Sequence, residues 1–529
     1  MLEQVIQYLS LILVIITLVM LAQKLKIAYP IILVIGGLLI SLIPGLPAVT
    51  INPELIFVIF LPPLLYEAAW YTSWKDFWKW RRVITSFAFL IVVLTSFVVA
   101  LVSSSIIPGF TMALGFLLGG IVSPPDAVSA TAVLKNVKVP KRLSSILEGE
   151  SLLNDASSLI VFRFALVAVD TGRFVFHEAA LSFVVVIVMG ILTGVLIGLI
   201  YYAVHKWLPT TTNMDIVLSL TAPYVMYIVA EAFHFSGVLS VVSGGLFLSA
   251  RSHLFLNHRS RYQGSNVWST LGFVLNGLVF MLIGLELPVI VNQLGPVSLG
   301  EAIKYGLLIS LVLIVTRLLS TFGASYFTVF ISRYITTADN RPGLKGPFLL
   351  GWAGMRGVVS LAAALSIPIL LTDKVTPFPQ RNLILFITFT VILVTLVVQG
   401  LTLPLMIRWV KMPDPDITLT PEEQELMIRK KLAAHTVKFL DEQHAEILKT
   451  NTILQQLKAR YENTHTHSTE HLIEPEHEDY RRVYLQVLEQ QRTLLHELDK
   501  SPETDDEIIR RHQSLLDLEE EKLRLKFES

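Results

Sequence analysis

LEGESLLNDASSLIVFRFAL, residues 147–166, is apolar enough to lie in lipid, yet it carries Glu148, Glu150, Asp155 and Arg163. A charged side chain at the bilayer centre costs about 2.5–3.5 kcal/mol on insertion scales, so acids persist there where they pair or line a wet cavity. On a helix, Ser151, Asp155 and Ser158 fall on one stripe, with Glu150 and Asn154 on the adjoining one. Leu152, Leu153, Leu159 and Ile160 are left for packing or for lipid. The seam offers carboxylate, amide and hydroxyl oxygens, the ligands that hard monovalent cations prefer. The alternative is a polar seam that only joins helices. Arg163 lies near the outer end, where it could snorkel.

The rest of the chain supplies the context. Of 529 residues, 53% are hydrophobic and 16% charged, with a mean hydropathy of +0.62. Such a composition indicates a multi-spanning, all-α membrane protein. The formal net charge of zero implies no nucleic-acid partner, and the lack of cysteine excludes disulfides, thiolate metal sites and cysteine nucleophiles. No basic segment precedes the first apolar run and no small-residue cleavage site follows it, so it reads as a span and not a signal peptide.

A crossing helix needs about 20 mostly apolar residues. Such runs lie near 4–22, 27–43, 51–70, 83–104, 111–134, 144–168, 179–204, 214–233, 236–250, 268–292, 301–330, 347–371 and 383–407, about thirteen in all. Loops after odd-numbered spans hold 17 Lys and Arg, against 3 after even-numbered spans. This asymmetry places the N-terminus outside and the C-terminal tail in the cytoplasm. Trp70, Trp74, Trp78 and Trp80 fit an interfacial belt beside Lys75 and Lys79.

Two domains follow: a transmembrane exchange domain, 1–410, and a charge-dense helical tail, 411–529. In the tail, 421–450 and 480–525 have helical periodicity, and ENTHTHSTEHLIEPEHED (462–479) reads as a polar linker. Its His465, His467, His471 and His477 could bind metal or sense pH, although a plain linker explains them as well.

Further ionisable residues interrupt the apolar runs: Glu67, Asp126, Glu231, Glu286 and Arg356. Two of them sit in broken spans. In GGIVSPPDAVSATAVL (119–134), the Pro-Pro pair removes two backbone donors and exposes carbonyls beside Asp126. In GWAGMRGVVSLAAAL (351–365), three glycines surround Arg356, a buried cation that needs a counter-ion. Glu150 is the expected partner, because Asp155 must stay free to exchange ligands. The two broken spans are seven apart and so run in opposite directions, which points to inverted repeats with the binding site between them.

These motifs together resemble the cation:proton antiporter-1 family of Na⁺(K⁺)/H⁺ exchangers, in particular bacterial members with a cytoplasmic tail. The resemblance covers about residues 1–410 and rests on LEGESLLNDA, FLPPLLYEAAW, GWAGMRGVVSLAAAL, AEAFHFSGVLSVVSGG and FMLIGLEL. It implies a homodimer in the cell inner membrane, with a core domain moving against a dimerisation scaffold. It assigns Asp155 as the cation and proton carrier, supported by Asn154, Ser151, Asp126 and Glu67, and it pairs Glu150 with Arg356. Asp155 and Ser151 would touch the monovalent cation directly. One departure is visible: the family reads Thr-Asp-Pro at the first break, where this chain has Pro125, Asp126 and Ala127. A threonine ligand is therefore missing.

The expected activity is exchange of one monovalent cation, Na⁺ or alternatively K⁺ or Li⁺, for one proton at a single carboxylate, without a cofactor and without catalytic chemistry. Because Asn154 is neutral, only one of the adjacent pair titrates, which favours electroneutral exchange. An ion channel would need pore rings or a carbonyl filter, and neither is legible. An intramembrane protease using Asp126 and Asp155 lacks any further signature.

Overall fold

Lipid offers no partner for backbone amides, so apolar runs must satisfy them internally as helices. The computed structural model describes residues 2–43, 56–134, 137, 139–172, 176–295, 297–331, 343–373, 375–412, 421–466, 475–498, 512 and 515–523. Apart from one isolated bridge, Leu370 with Pro377, its regular elements are all helical. The chain divides into two compact units, Met1–Asp414 and Pro415–Ser529.

The first unit holds α1 (Leu2–Leu25), α2 (Tyr29–Ser41), α3 (Leu61–Tyr71), α4 (Trp74–Ile106), α5 (Met112–Val122), α6 (Ala127–Leu134), α7 (Lys141–Thr171) and α8 (Phe176–Trp207). It continues with α9 (Thr212–Ala232), α10 (Gly237–Phe255), α11 (His258–Asn292), α12 (Leu299–Ile331), α13 (Lys345–Trp352), α14 (Val358–Leu365) and α15 (Arg381–Val410). Among the described residues, nine helices are long and apolar enough to cross a membrane. The other four segments expected to cross carry α1, α2, α3 and the broken pair α13–α14.

Local chemistry sets the ends that matter. Thr111 accepts from the Leu114 amide to open α5, and Ser236 does the same for Leu239 at α10. Gly172, with φ of 66°, closes α7 in the left-handed conformation that glycine adopts without strain. Two stretches widen to π-helix, Ser86–Ile91 within α4 and Thr395–Gln399 within α15. The first meets α7, where the Ala88 carbonyl accepts from Ser157, and the second meets the second break, where Thr395 accepts from the Arg356 amide.

Glycines let α5 come close to its neighbours. A β-carbon at Gly119 would overlap the Ser96 backbone on α4, and one at Gly120 would press on the Phe162 backbone of α7. The first break is thereby held against the middle of α7. α5–α6 and α15 lie deepest in the unit, whereas α8 shows lipid-facing apolar residues such as Leu181, Leu192, Leu196 and Ile200.

The second unit contains α16 (Pro421–Gln443), α17 (Ala445–Thr450), α18 (Thr452–Thr466) and α19 (Pro475–Leu498). α16 packs on α18, with Ala433, Leu440 and Leu448 buried and Lys458 bonded to Asp441 at 2.6 Å. Helix therefore extends into both ends of the expected linker. The side chains of His465, His467, His471 and His477 lie outside the described residues.

Candidate functional site

Proline at 124 and 125 stops α5 and leaves its last carbonyls without helical partners. Arg356 supplies the missing donors. Its Nε donates to the Val122 carbonyl at 2.9 Å, Nη2 to Ser123 at 3.4 Å, and Nη1 to its own neighbour Gly354. The cation thus sits at the negative end of the α5 dipole. Asp126 does the converse for α6: Oδ1 accepts from the Val128 amide at 2.9 Å, and Oδ2 from the Ser129 hydroxyl at 2.6 Å. The two breaks touch directly, with the Asp126 amide donating to Met355 O at 2.7 Å. Gly357, which opens α14, lies so close to the Asp126 carboxylate that a β-carbon would overlap it.

α7 docks onto this crossing. Ser151 Oγ accepts from the Ala127 amide at 3.2 Å, and Asn154 Nδ2 donates to the Pro125 carbonyl at 2.9 Å. Asn154 Oδ1 is buried without a protein partner. The next residue, Asp155, is 7% exposed and lies within electrostatic range of Asp126. Among the described residues no donor reaches its carboxylate, while its backbone carbonyl accepts from the Ser158 hydroxyl. Asp155, Asn154, Ser151, Asp126 and Pro125 are therefore one cluster.

Glu67 joins it at one remove. Its carboxylate packs on Gly272 of α11, where no β-carbon would fit. Tyr29, at the start of α2, is an electrostatic neighbour of both Glu67 and Asp126. Its ring also meets Phe273 and Phe280 of α11, the latter edge-on at 6.4 Å.

The ion pair differs from expectation. Glu150, fully buried, receives two parallel bonds from Arg317 of α12, at 2.8 and 2.9 Å. Arg356 remains an electrostatic neighbour of Glu150, but its donors are consumed by carbonyls. The reason is geometric: the planar guanidinium of Arg317 meets the carboxylate fork-to-fork, while the broken helix claims Arg356. Sequence reading overlooked Arg317, although an arginine in the middle of the apolar α12 was a signal. It overlooked Tyr29 with better excuse, since a tyrosine at a helix start is unremarkable. Arg163 does not simply snorkel; it bonds Glu231 at 2.5 Å.

Two interrupted helices that cross beside a buried carboxylate reached by no donor among the described residues have the architecture of a secondary-transport ion carrier. Residues 9–409 match the family "Sodium/hydrogen exchanger, transmembrane". The chain belongs to this family, the cation:proton antiporter-1 group of monovalent cation/proton antiporters. It is 34% identical over 424 residues to a sodium, potassium, lithium and rubidium/H⁺ antiporter of Bacillus pumilus, covering 78% of this chain and 62% of that protein's length. It is 34% identical over 381 residues to the low-affinity Na⁺/H⁺ antiporter NhaS1 of Synechocystis, covering 71% and 68%. The fold is similar to the sodium proton antiporter MjNhaP1 of Methanocaldococcus jannaschii, with a TM-score of 0.58 at 18% identity over 77% of this chain and 98% of that one.

Proposed function

We propose that this protein exchanges one monovalent cation for one proton through competition for the Asp155 carboxylate. The observation that carries this reading is the state of that side chain, buried at the crossing of two broken helices with no donor among the described residues reaching its carboxylate oxygens. A carboxylate so placed needs a charge partner, which either a proton or a cation supplies. Asn154, Ser151, Asp126, Glu67 and the carbonyl side of Pro125 complete the site in this reading, and Glu150 with Arg317 braces it. Loaded sites carry no excess charge and can pass a low-dielectric barrier; an empty ionised site cannot. Because the adjacent Asn154 does not titrate, exchange is electroneutral.

Na⁺ is the proposed substrate, with K⁺ and Li⁺ as further candidates. The Bacillus pumilus relative is named for four alkali cations. Pro125 stands where the family carries a threonine, so the hydroxyl that could sharpen selectivity is absent. The protein is proposed to act as a homodimer in the inner (plasma) membrane, N-terminus outside, surrounded by lipid. Residues 411–529 would form a cytoplasmic regulatory tail, and the role would be pH homeostasis.

The test is dequenching of a pH dye in everted vesicles, with Na⁺, K⁺ and Li⁺ added in turn. Wild type should dequench and Asp155→Asn, expressed at equal level, should not. Exchange that persists in Asp155→Asn refutes the assignment, and a current that follows membrane voltage refutes electroneutrality.

A further inference from the structure

A second buried acid lies outside the exchange site. Glu286 lies within α11, at the junction between the runs His258–Leu285 and Leu287–Asn292, and is 8% exposed. Its backbone amide is bonded to Leu282 and its carbonyl to Ile290, but among the described residues no donor reaches its carboxylate. It borders a small cavity with room for about one water molecule. The rest of the lining is apolar: Phe60, Val279 and Leu282 on one side, Val358, Leu361, Ala362 and Leu365 on the other. The second group comes from α14, the half-helix that begins at the second break. The cavity therefore lies in the seam between α11 and a broken element of the exchange site.

Among the described residues, the surroundings offer no countercharge. The packed faces of α14 and of the segment Ile56–Phe60 contain no titratable residue, and α2 contributes only Tyr29, at its far end. At the start of α15, Arg381 donates to the carbonyls of Ile367 and Leu365. The donor set then discriminates between ligands. A hard cation wants several oxygens, and this cavity presents one carboxylate among seven apolar side chains. A proton needs only the carboxylate.

We infer that Glu286 is a second proton-binding site, distinct from Asp155, whose occupancy controls how readily the α11–α14 seam parts. Protonated, the acid is neutral and the apolar seam stays closed. Ionised, it draws water into the seam and loosens it, so exchange rises with pH. The inference needs the exchange activity but not the choice of Asp155 as carrier.

The test uses the full chain reconstituted in liposomes, with Glu286→Gln as a neutral mimic and Glu286→Asp as a conservative control. Acid-minus-alkaline infrared difference spectra should show a protonated-carboxyl band in wild type that Glu286→Gln loses and Glu286→Asp retains at a shifted position. Exchange measured against pH should coincide for wild type and Glu286→Gln at acid pH. At alkaline pH the wild type should be faster by about fivefold, the low end of coupling between sites, and Glu286→Asp should keep a pH-dependent rise. Identical infrared bands in wild type and Glu286→Gln overturn the inference, and so do superimposable pH profiles. Asp155→Asn separates the two claims: if it still exchanges, the carrier assignment fails while the Glu286 band and pH step stand or fall independently.

Discussion

Asp126 and Arg356 act first on helix ends. The aspartate caps α6 and the arginine occupies the carbonyls that end α5, so each residue neutralises a half-helix dipole. Asp155 differs, because among the described residues no donor reaches its carboxylate; in the proposed mechanism it therefore exchanges ligands, while Asp126 also caps a helix. Glu150 and Arg317 show the same division. Their bidentate pair is fully desolvated, so removing one partner strands a buried charge. Arg317→Met should lower stability by about 3–5 kcal/mol, read as a fall in thermal midpoint of the detergent-solubilised protein. Arg317→Met combined with Glu150→Gln should recover part of that loss. An unchanged midpoint in the single variant would show that Arg356 compensates for Arg317. Gly272→Ala should displace the Glu67 carboxylate and reduce cation affinity at unchanged expression, measured as a raised half-saturation concentration in vesicles.

Two broken helices work as a unit because they terminate on each other. The Asp126 amide bonds Met355 O, Arg356 crosses back to Val122, and α7 pins the junction through Asn154 and Ser151. Gly357→Ala would drive a methyl group into the Asp126 carboxylate. The expected cost is about 1–3 kcal/mol of overpacking, with exchange lost at a temperature where the protein stays folded. Pro125→Thr tests the departure from the family pattern: it offers a hydroxyl at the break, and the ratio of Na⁺ to K⁺ half-saturation should shift in favour of one cation. Retention of the wild-type ratio would mean that the hydroxyl does not reach the ion. At the start of α4, basic residues stack on the tryptophans, with Arg81 at 4.5 Å from the Trp78 ring and Arg142 of α7 at 5.6 Å from Trp80. This is the aromatic and basic pattern expected of a membrane-interface anchor.

For the whole molecule, the division into Met1–Asp414 and Pro415–Ser529 allows the tail to be removed as one piece. A chain ending at Val410 should keep maximal Na⁺/H⁺ exchange within about twofold and change only its pH dependence, as expected when regulation is a coupling between parts. Loss of all exchange from a folded truncated protein would place essential machinery in the tail. Much of the first unit was legible in the amino-acid string. The helix-breaking Pro-Pro pair marked one interruption, the glycines around Arg356 marked the other, and Asn154–Asp155 marked the seam that docks between them. What escaped were partners distant in sequence: Arg317 for Glu150, Tyr29 as a neighbour of Glu67 and Asp126, and the isolation of Glu286.

Hydropathy, proline placement and charge at membrane depth are local properties. By themselves they determined an all-helical membrane protein with two interrupted helices and a polar seam around Asp155. Pairing is not local. Glu150 and Arg317 lie 167 residues apart, and either of two buried arginines could have neutralised that acid. Packing decided between them, because the broken helix consumed the donors of Arg356 and left Arg317 in the one orientation that meets a carboxylate with two parallel bonds.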